Sequence, residues 1–93
     1  MPERSVRVGS SVGLHARPAA LFTQAAAKAP VPVTIAKVGG APVDARSILL
    51  VLTLGVAHGD EVVLRAEGDG ADEALDQLAG LLASDLDAAP AGS

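Results

Sequence analysis

The sequence predicts an α+β fold in which two long helices cover one face of an antiparallel sheet. Apolar and polar residues alternate over three short stretches, which is typical of strands, and two longer stretches have helical features. Gly39-Gly40 signals a hairpin and supplies a fourth strand. The predicted strands are 5–8, 33–36, 41–44 and 61–67.

The length of the chain indicates a single domain. The 93 residues lie near the lower end of the sizes at which one core suffices, and we assign residues 1–86 to it. Residues 87–93 have nothing to bury, so we expect a disordered tail. The chain has no cysteine and two histidines, which excludes disulfides and argues against a metal site. It also lacks a membrane-spanning run and a signal-peptide pattern, so we predict a cytoplasmic protein.

The composition argues against nucleic acid as a partner. Phe22 is the only aromatic residue, so bases have no stacking platform, and the net charge of −4 disfavours binding to a phosphate backbone. The charge is divided unevenly, because residues 1–58 hold six cations and two carboxylates whereas residues 59–93 hold one cation and nine carboxylates. The basic first part would therefore attract an acidic surface or a phosphate.

The two long helices are marked by different signals. Pro18 suits the first turn of an alanine-rich helix over 16–28, because its missing N–H costs nothing there. Asp69 is a suitable N-cap for the last helix, which carries an apolar stripe at i, i+3, i+4 and i+7. The stripe consists of Leu75, Leu78, Ala79 and Leu82.

The run over 47–52 is ambiguous. Its five consecutive apolar residues fit a buried strand, but Ser47 in front of them is also typical of a helix N-cap. The residues alone leave both interpretations open. A helix this short cannot bury every side, so in that case we predict that Ile48 and Leu49 form an exposed docking surface.

The candidate reactive residue is His15, which lies in the stretch Gly13-Leu14-His15-Ala16-Arg17-Pro18. With a helix starting at this point, free N–H groups of Ala16 and Arg17 and the positive end of the helix dipole favour an anion. A neutral imidazole is a competent nucleophile near neutral pH. The pattern therefore predicts a histidine that carries a phosphoryl group, with Arg17 stabilising its charge.

These motifs resemble those of the histidine-containing phosphocarrier (HPr) family of the bacterial phosphoenolpyruvate-dependent sugar phosphotransferase system. Residues 13–19 are similar to the family's active-site motif, and residues 45–49 with 54–55 are similar to its regulatory-serine segment. Further matches occur at 59–62 and 66–68. The resemblance implies an open-faced sandwich of four antiparallel strands covered on one face by three helices, in the order βαββαβα, with 47–52 as a short helix.

The resemblance also implies a function. His15 would accept a phosphoryl group at Nδ1 from phosphorylated enzyme I and pass it to the enzyme IIA domain of a sugar permease, with phosphoenolpyruvate as the ultimate donor. Such a protein is a carrier and not a stand-alone enzyme, it needs no cofactor, and we expect a monomer. The docking residues implied by the resemblance are Ala16, Ala20, Ile48 and Leu49.

The alternative is a regulatory binding protein of the same fold, a nitrogen-related or catabolite-control paralogue that acts through Ser47 and the apolar surface of Ile48 and Leu49. In some bacteria the serine of this segment is phosphorylated, so the resemblance makes Ser47 a candidate phosphorylation site, which would add a serine kinase or a transcriptional regulator to the partners. The chain departs from the family in having Val12 where asparagine is frequent, and Ala27, Leu50 and Leu52 where lysines are common. We therefore expect docking to be more apolar and less steered by charge. Retention of His15 and Arg17 favours the carrier.

Overall fold

A computed structural model of the chain describes residues 2–9, 13–14 and 16–84. His15 and the predicted tail at 87–93 lie outside these residues. The elements in chain order are β1 (Glu3–Arg7), α1 (Ala16–Ala27), β2 (Val33–Lys37), β3 (Val43–Asp44), α2 (Ile48–Thr53), β4 (Glu61–Ala66) and α3 (Ala71–Ala83).

The four strands form one antiparallel sheet in the order β1-β4-β2-β3. α3 packs on β1 and β4, and α2 packs on β3 and against α1. The core consists of residues from all three helices and from one face of the sheet, including Phe22, Ile35, Leu64 and Leu75. The prediction of an open-faced α+β fold with four strands and three helices is confirmed.

The core-facing residues of the clearest strand and helix follow the sequence pattern. In β4, Val62, Leu64 and Ala66 are buried, as strand alternation predicts. In α3, the apolar stripe faces the core, with Ala79 half-buried and the other stripe residues buried.

Several boundaries differ from the sequence prediction: β1 is Glu3–Arg7 and not 5–8, and α1, β2 and β4 each differ by one residue at one end. β3 is only Val43–Asp44 and not 41–44. The N-cap of α3 is Gly70 and not Asp69, so that prediction is wrong. Gly70 has φ 88 and ψ 1, a left-handed conformation that glycine adopts readily, and the cap has no side-chain hydrogen bond.

The N-terminal strand is tied to the last helix by charge. Arg4 Nε donates to Asp76 Oδ1 at 2.8 Å, and Arg4 Nη2 lies 3.4 Å from Asp72 Oδ1. Hydrogen bonds to these carboxylates, that to Asp76 first, raise the pKa of Arg4. These contacts link the two ends of the described chain on the helix side of the sheet.

Candidate functional site

The segment that leads into α1 is anchored at Gly13 and Leu14. The Leu14 N–H donates to the carbonyl oxygen of Val56 at 3.0 Å, and the Leu14 side chain is buried. Gly13 has φ +72, and a Cβ there would collide with Val56 O and lie 2.7 Å from Ala57 Cα. Only glycine fits this close approach without strain. The residues on either side of position 15 are thus held by the 56–57 loop and by the start of a helix.

α1 begins at Ala16, the residue that follows His15 in the sequence. Arg17 is exposed in the first turn, whereas Pro18 and Ala19 are buried. Pro18 provides no N–H, so the backbone donors before it are those of Ala16 and Arg17. No acidic residue lies in the first turn, so nothing there opposes an anion.

The segment 47–52, which the sequence left open between strand and helix, is helical. Ser47 is the N-cap of α2, and its side-chain oxygen accepts a hydrogen bond from Leu50 N at 3.3 Å. Val51 is fully buried and anchors the helix in the core. The interpretation of Ser47 as an N-cap is confirmed.

The outer side of α2 is an apolar surface, which we call the α2 patch. Leu49 is 73 % exposed and Leu50 is 42 % exposed. Four exposed large apolar side chains on one short helix are unusual for a surface that contacts only water. The patch consists of Ile48, Leu49, Leu50 and Leu52.

An acidic residue and a basic residue precede the α2 patch. Asp44 Oδ1 accepts from the N–H of Arg46 at 2.9 Å and from its Nε at 3.2 Å. The side-chain hydrogen bond from Arg46, followed by the backbone one, lowers the pKa of Asp44. This turn fixes the chain immediately before Ser47 and leaves the side chain of Arg46 exposed beside it.

A second acidic turn supports the loop that holds Leu14. Asp60 Oδ2 accepts from the N–H of Ala57 at 2.9 Å and lies 3.4 Å from Lys37 Nζ. The backbone hydrogen bond, with a smaller electrostatic contribution from Lys37, lowers the pKa of Asp60. Asp60 therefore stabilises the loop that carries Val56.

The structure brings several of the predicted site residues onto neighbouring helices. Arg17 and the half-buried Ala20 belong to α1, which packs against α2. Ile48 and Leu49 are exposed on α2, as the docking prediction requires, while docking itself stays a prediction. Leu50 and Leu52 extend the same patch.

Sequence reasoning missed the contact between Gly13 and Val56. The glycine was part of the motif, but no local pattern indicates which distant backbone it approaches. A glycine directly before the buried Leu14 was the only available signal.

Two further classes of site are absent from the described residues. No group of three histidine, cysteine, aspartate or glutamate side chains in that part of the chain could hold a metal ion. None of its helices combines the length and the apolar character needed to cross a membrane.

Comparison with known proteins connects this fold to a phosphorylation site. Residues 2–84 match the family model described as "PTS HPr component phosphorylation site". The chain is 52 % identical over 90 residues to the phosphocarrier protein HPr of Streptomyces coelicolor, covering 97 % of both chains. It is 43 % identical over 79 residues to the HPr-like protein Crh of Bacillus subtilis, covering 85 % of this chain and 92 % of Crh.

A solved structure has the same fold. The crystal structure of a phosphocarrier protein HPr from Bacillus anthracis superimposes with a TM-score of 0.82 at 37 % identity, covering 87 % of this chain and 95 % of the other. A small open-faced sandwich with a histidine directly before its first helix and an apolar helix beside it defines a phosphocarrier domain. The chain belongs to the HPr family of the phosphotransferase system, whose members are carriers and not enzymes.

Proposed function

We propose that this chain accepts a phosphoryl group on His15 from phosphorylated enzyme I and passes it to the enzyme IIA domain of a sugar permease. In each transfer a bond from phosphorus to an imidazole nitrogen forms on the acceptor as the bond from phosphorus to the donor breaks. Phosphoenolpyruvate supplies the group at the start of the chain of transfers, and no cofactor takes part. The carrier acts in the cytoplasm as a monomer.

The observation that carries the proposal is the start of α1 directly after His15. The phosphorylated imidazole gains close to two negative charges at neutral pH. Free N–H groups in the first turn and the helix dipole favour such charge by about 0.3–1 kcal/mol at an exposed site. The exposed Arg17 adds a charge-assisted hydrogen bond of about 1.5–3 kcal/mol.

These contributions suit a carrier because they are moderate. A group held by several buried cations or a metal would be stable but slow to leave, whereas a carrier has to release it to the next protein. The first turn of α1 provides one arginine and two backbone donors in solvent. The donor and acceptor proteins then supply the remaining stabilisation of the transition state.

The α2 patch provides the surface on which these proteins dock. It lies on the helix next to α1, so a partner that covers the patch also reaches the start of α1. Burial of exposed leucine and isoleucine side chains favours association by roughly 25 cal/mol per Å² of apolar area. Arg17 is an exposed cation that would pair with an acidic residue of the partner, whereas Arg46 is already bound to Asp44.

The test is incubation of the purified chain with enzyme I, Mg²⁺ and phosphoenolpyruvate, followed by mass spectrometry and acid treatment. We expect one acid-labile phosphate on the wild type and none on His15→Ala. The chain has two histidines, so His58→Ala is the matched control and should still accept phosphate. Circular dichroism checks that both variants fold. Phosphate retained on His15→Ala would contradict the proposal.

A regulatory binding module is the second candidate, favoured by the α2 patch with Ser47 at its start and by the similarity to the HPr-like protein Crh. A phosphate on Ser47 would add charge beside the patch and alter what binds there. A serine kinase or a transcriptional regulator would then be the partner. Absence of phosphate on His15 with a cognate enzyme I, together with a regulator that binds the patch, would favour this candidate.

A further inference from the structure

A groove that is open to solvent lies between α1 and α3. It has a volume of about 260 Å³ and is lined by residues of both helices and of the turn after α1. One end of the groove is beside Pro30, which packs closely on the start of α3, because a Cβ on Gly70 would lie 2.8 Å from Pro30 Cγ. Spaces between packed helices are frequent sites for small ligands. The side chains that line the groove decide which ligand it fits.

Most of the groove is apolar. Leu78 and Ala74 are buried at its base, and Leu81 is half-buried. The alanine side chains are too short to fill the space between the two helices. The apolar lining consists of Ala25, Ala29, Pro30, Ala74, Leu78 and Leu81. An aliphatic chain in this space would therefore remove apolar surface of both helices from water.

Two polar side chains also line the groove, one on each side. Lys28 directly follows the last residue of α1, and Gln77 belongs to α3. Both are exposed, and among the described residues no carboxylate lines the groove. An ammonium group and a side-chain amide can both donate hydrogen bonds to an anion. The polar part of the groove is therefore complementary to a carboxylate.

The charge of Lys28 is not neutralised by a neighbouring side chain. Lys28 makes no ion pair within the described part of the chain, whereas most of the other cations do. Asp72 and Asp76, two of the carboxylates of α3, are held by Arg4. The cations that pair are Arg4, Lys37, Arg46 and Arg65. Lys28 is thus available to an anion in the groove.

We propose that the groove between α1 and α3 binds a free medium-chain fatty acid, with its carboxylate at Lys28 and Gln77 and its aliphatic chain against the alanine and leucine side chains. A water-sized group takes up about 30 Å³, so the groove holds about eight or nine such groups, which matches a fatty acid of about six to eight carbons. An inorganic anion would leave the apolar lining uncovered. An uncharged hydrocarbon would leave the ammonium group of Lys28 without a partner.

A ligand in the groove leaves the α2 patch open. α1 packs against both α2 and α3, and the groove lies on its α3 side and towards its C-terminal end. His15 precedes the opposite end of α1. The fatty acid is therefore compatible with docking at the α2 patch, and the proposal does not depend on phosphoryl transfer.

Titration of the full chain, labelled with ¹⁵N, with sodium octanoate tests the proposal by NMR. We expect the amide signals of the groove residues to shift and to saturate with one octanoate per chain and a dissociation constant on the order of 1 mM. Acetate lacks the chain and octylammonium has the opposite charge, so both should bind more weakly. The absence of saturating shifts up to about 10 mM octanoate overturns the proposal. So do shifts centred on the α2 patch, since the exposed leucines there would then hold the chain.

Two pairs of variants test the charge and the space separately. Lys28→Gln should bind octanoate about two- to fivefold more weakly, whereas Arg7→Gln, which removes another cation without an ion pair in the described chain, should bind like the wild type. Ala25→Leu fills the groove and should abolish binding, whereas Ala27→Leu changes an exposed residue of α1 outside the groove and should not. Circular dichroism checks that each variant folds. Wild-type affinity in either Lys28→Gln or Ala25→Leu overturns the proposal.

A bound fatty acid should also stabilise the folded chain by mass action. At an octanoate concentration about ten times the dissociation constant, the equilibrium constant for unfolding should fall about elevenfold. The midpoint of urea unfolding measures this change, and it should not respond to octanoate in Ala25→Leu. A wild-type midpoint that octanoate does not raise contradicts the proposal and leaves the proposed carrier function unaffected.

Discussion

Arg17 is the charged residue nearest to His15 in the sequence, and its side chain is exposed in the first turn of α1. If it stabilises the phosphoryl group, Arg17→Ala should slow transfer roughly 10- to 100-fold, from the loss of about 1.5–3 kcal/mol. Arg17→Lys keeps the charge without the two-pronged contact and should be intermediate. Quench-flow kinetics with phosphorylated enzyme I measure the effect. Equal rates for the wild type and the alanine variant would remove Arg17 from the site.

Gly13 allows the chain before α1 to lie close to the backbone of Val56 and Ala57. Gly13→Ala has to adopt φ +72 and displace the backbone of Val56 and Ala57. Gly39→Ala is the matched control, since Gly39 has φ +83 but nothing within 4 Å of an added Cβ. We expect about 1–2 kcal/mol of destabilisation for the control and about 1–3 kcal/mol more for Gly13→Ala. Urea unfolding measures both, and equal losses would mean that the close approach is unimportant.

At the scale of single elements, α2 depends on its cap. Ser47→Ala removes the side-chain acceptor for Leu50 N and should lower the free energy of unfolding by about 0.5–2 kcal/mol. Ser47→Asp retains an acceptor that caps well, so its stability should stay near that of the wild type. The aspartate also adds a negative charge beside the α2 patch. Denaturant titration of the three proteins separates the cap from the charge, and a stable Ser47→Ala would show that Val51 alone holds the helix.

The same helix shows how far local sequence determines an element. Five consecutive apolar residues fit a strand or a helix equally well, so the apolar pattern over 48–52 does not distinguish between the two. The Ser47 cap was visible, and the family resemblance decided in favour of the helix that the structure contains. β4 and α3 were predictable from the residues alone, because their apolar periods are unbroken.

The elements that sequence reasoning placed wrongly share a physical reason. The cap of α3 was assigned to Asp69 on its side chain, but the chain enters this helix through the left-handed backbone of Gly70. β3 pairs with β2, its neighbour across the Gly39-Gly40 hairpin, over only two residue pairs, and periodicity does not report how far a hairpin stays paired. In the candidate site, the motif predicts His15 and Arg17, while the contact from Leu14 to Val56 depends on the folded chain.

At the scale of the whole molecule, the charge is divided unevenly along the sequence, and the proposed site and the α2 patch lie in its basic part. The basic part of the sequence contains the start of α1 and the α2 patch, and the carboxylates are concentrated after residue 58. Two acidic residues of α3 bind Arg4, so part of the acidic half holds the N-terminal strand. Under the proposed function, a partner with an acidic surface would be attracted to the cations of this part of the sequence.

Asp44 and Asp60 contribute to the pH dependence of stability of the whole molecule in acid. Each has its pKa lowered below the ordinary value of 3.8 in the folded chain. The unfolded chain therefore binds more protons in this range. The stabilisation is complete above about pH 4–5 and is lost as the pH falls through the lowered values. We expect the urea midpoint of the wild type to fall steeply below about pH 4, and that of Asp44→Asn/Asp60→Asn to fall less.

The matched control has to remove the same number of charges from elsewhere. Asp69 and Glu73 are exposed and make no ion pair within the described part of the chain. Asp69→Asn/Glu73→Gln should therefore keep the steep acid limb of the wild type. The Asp44/Asp60 variant should be less stable near neutral pH and approach the wild type in acid, because both carboxyls are then protonated. Parallel curves for all three proteins would show that these two turns do not determine the acid limit of the fold.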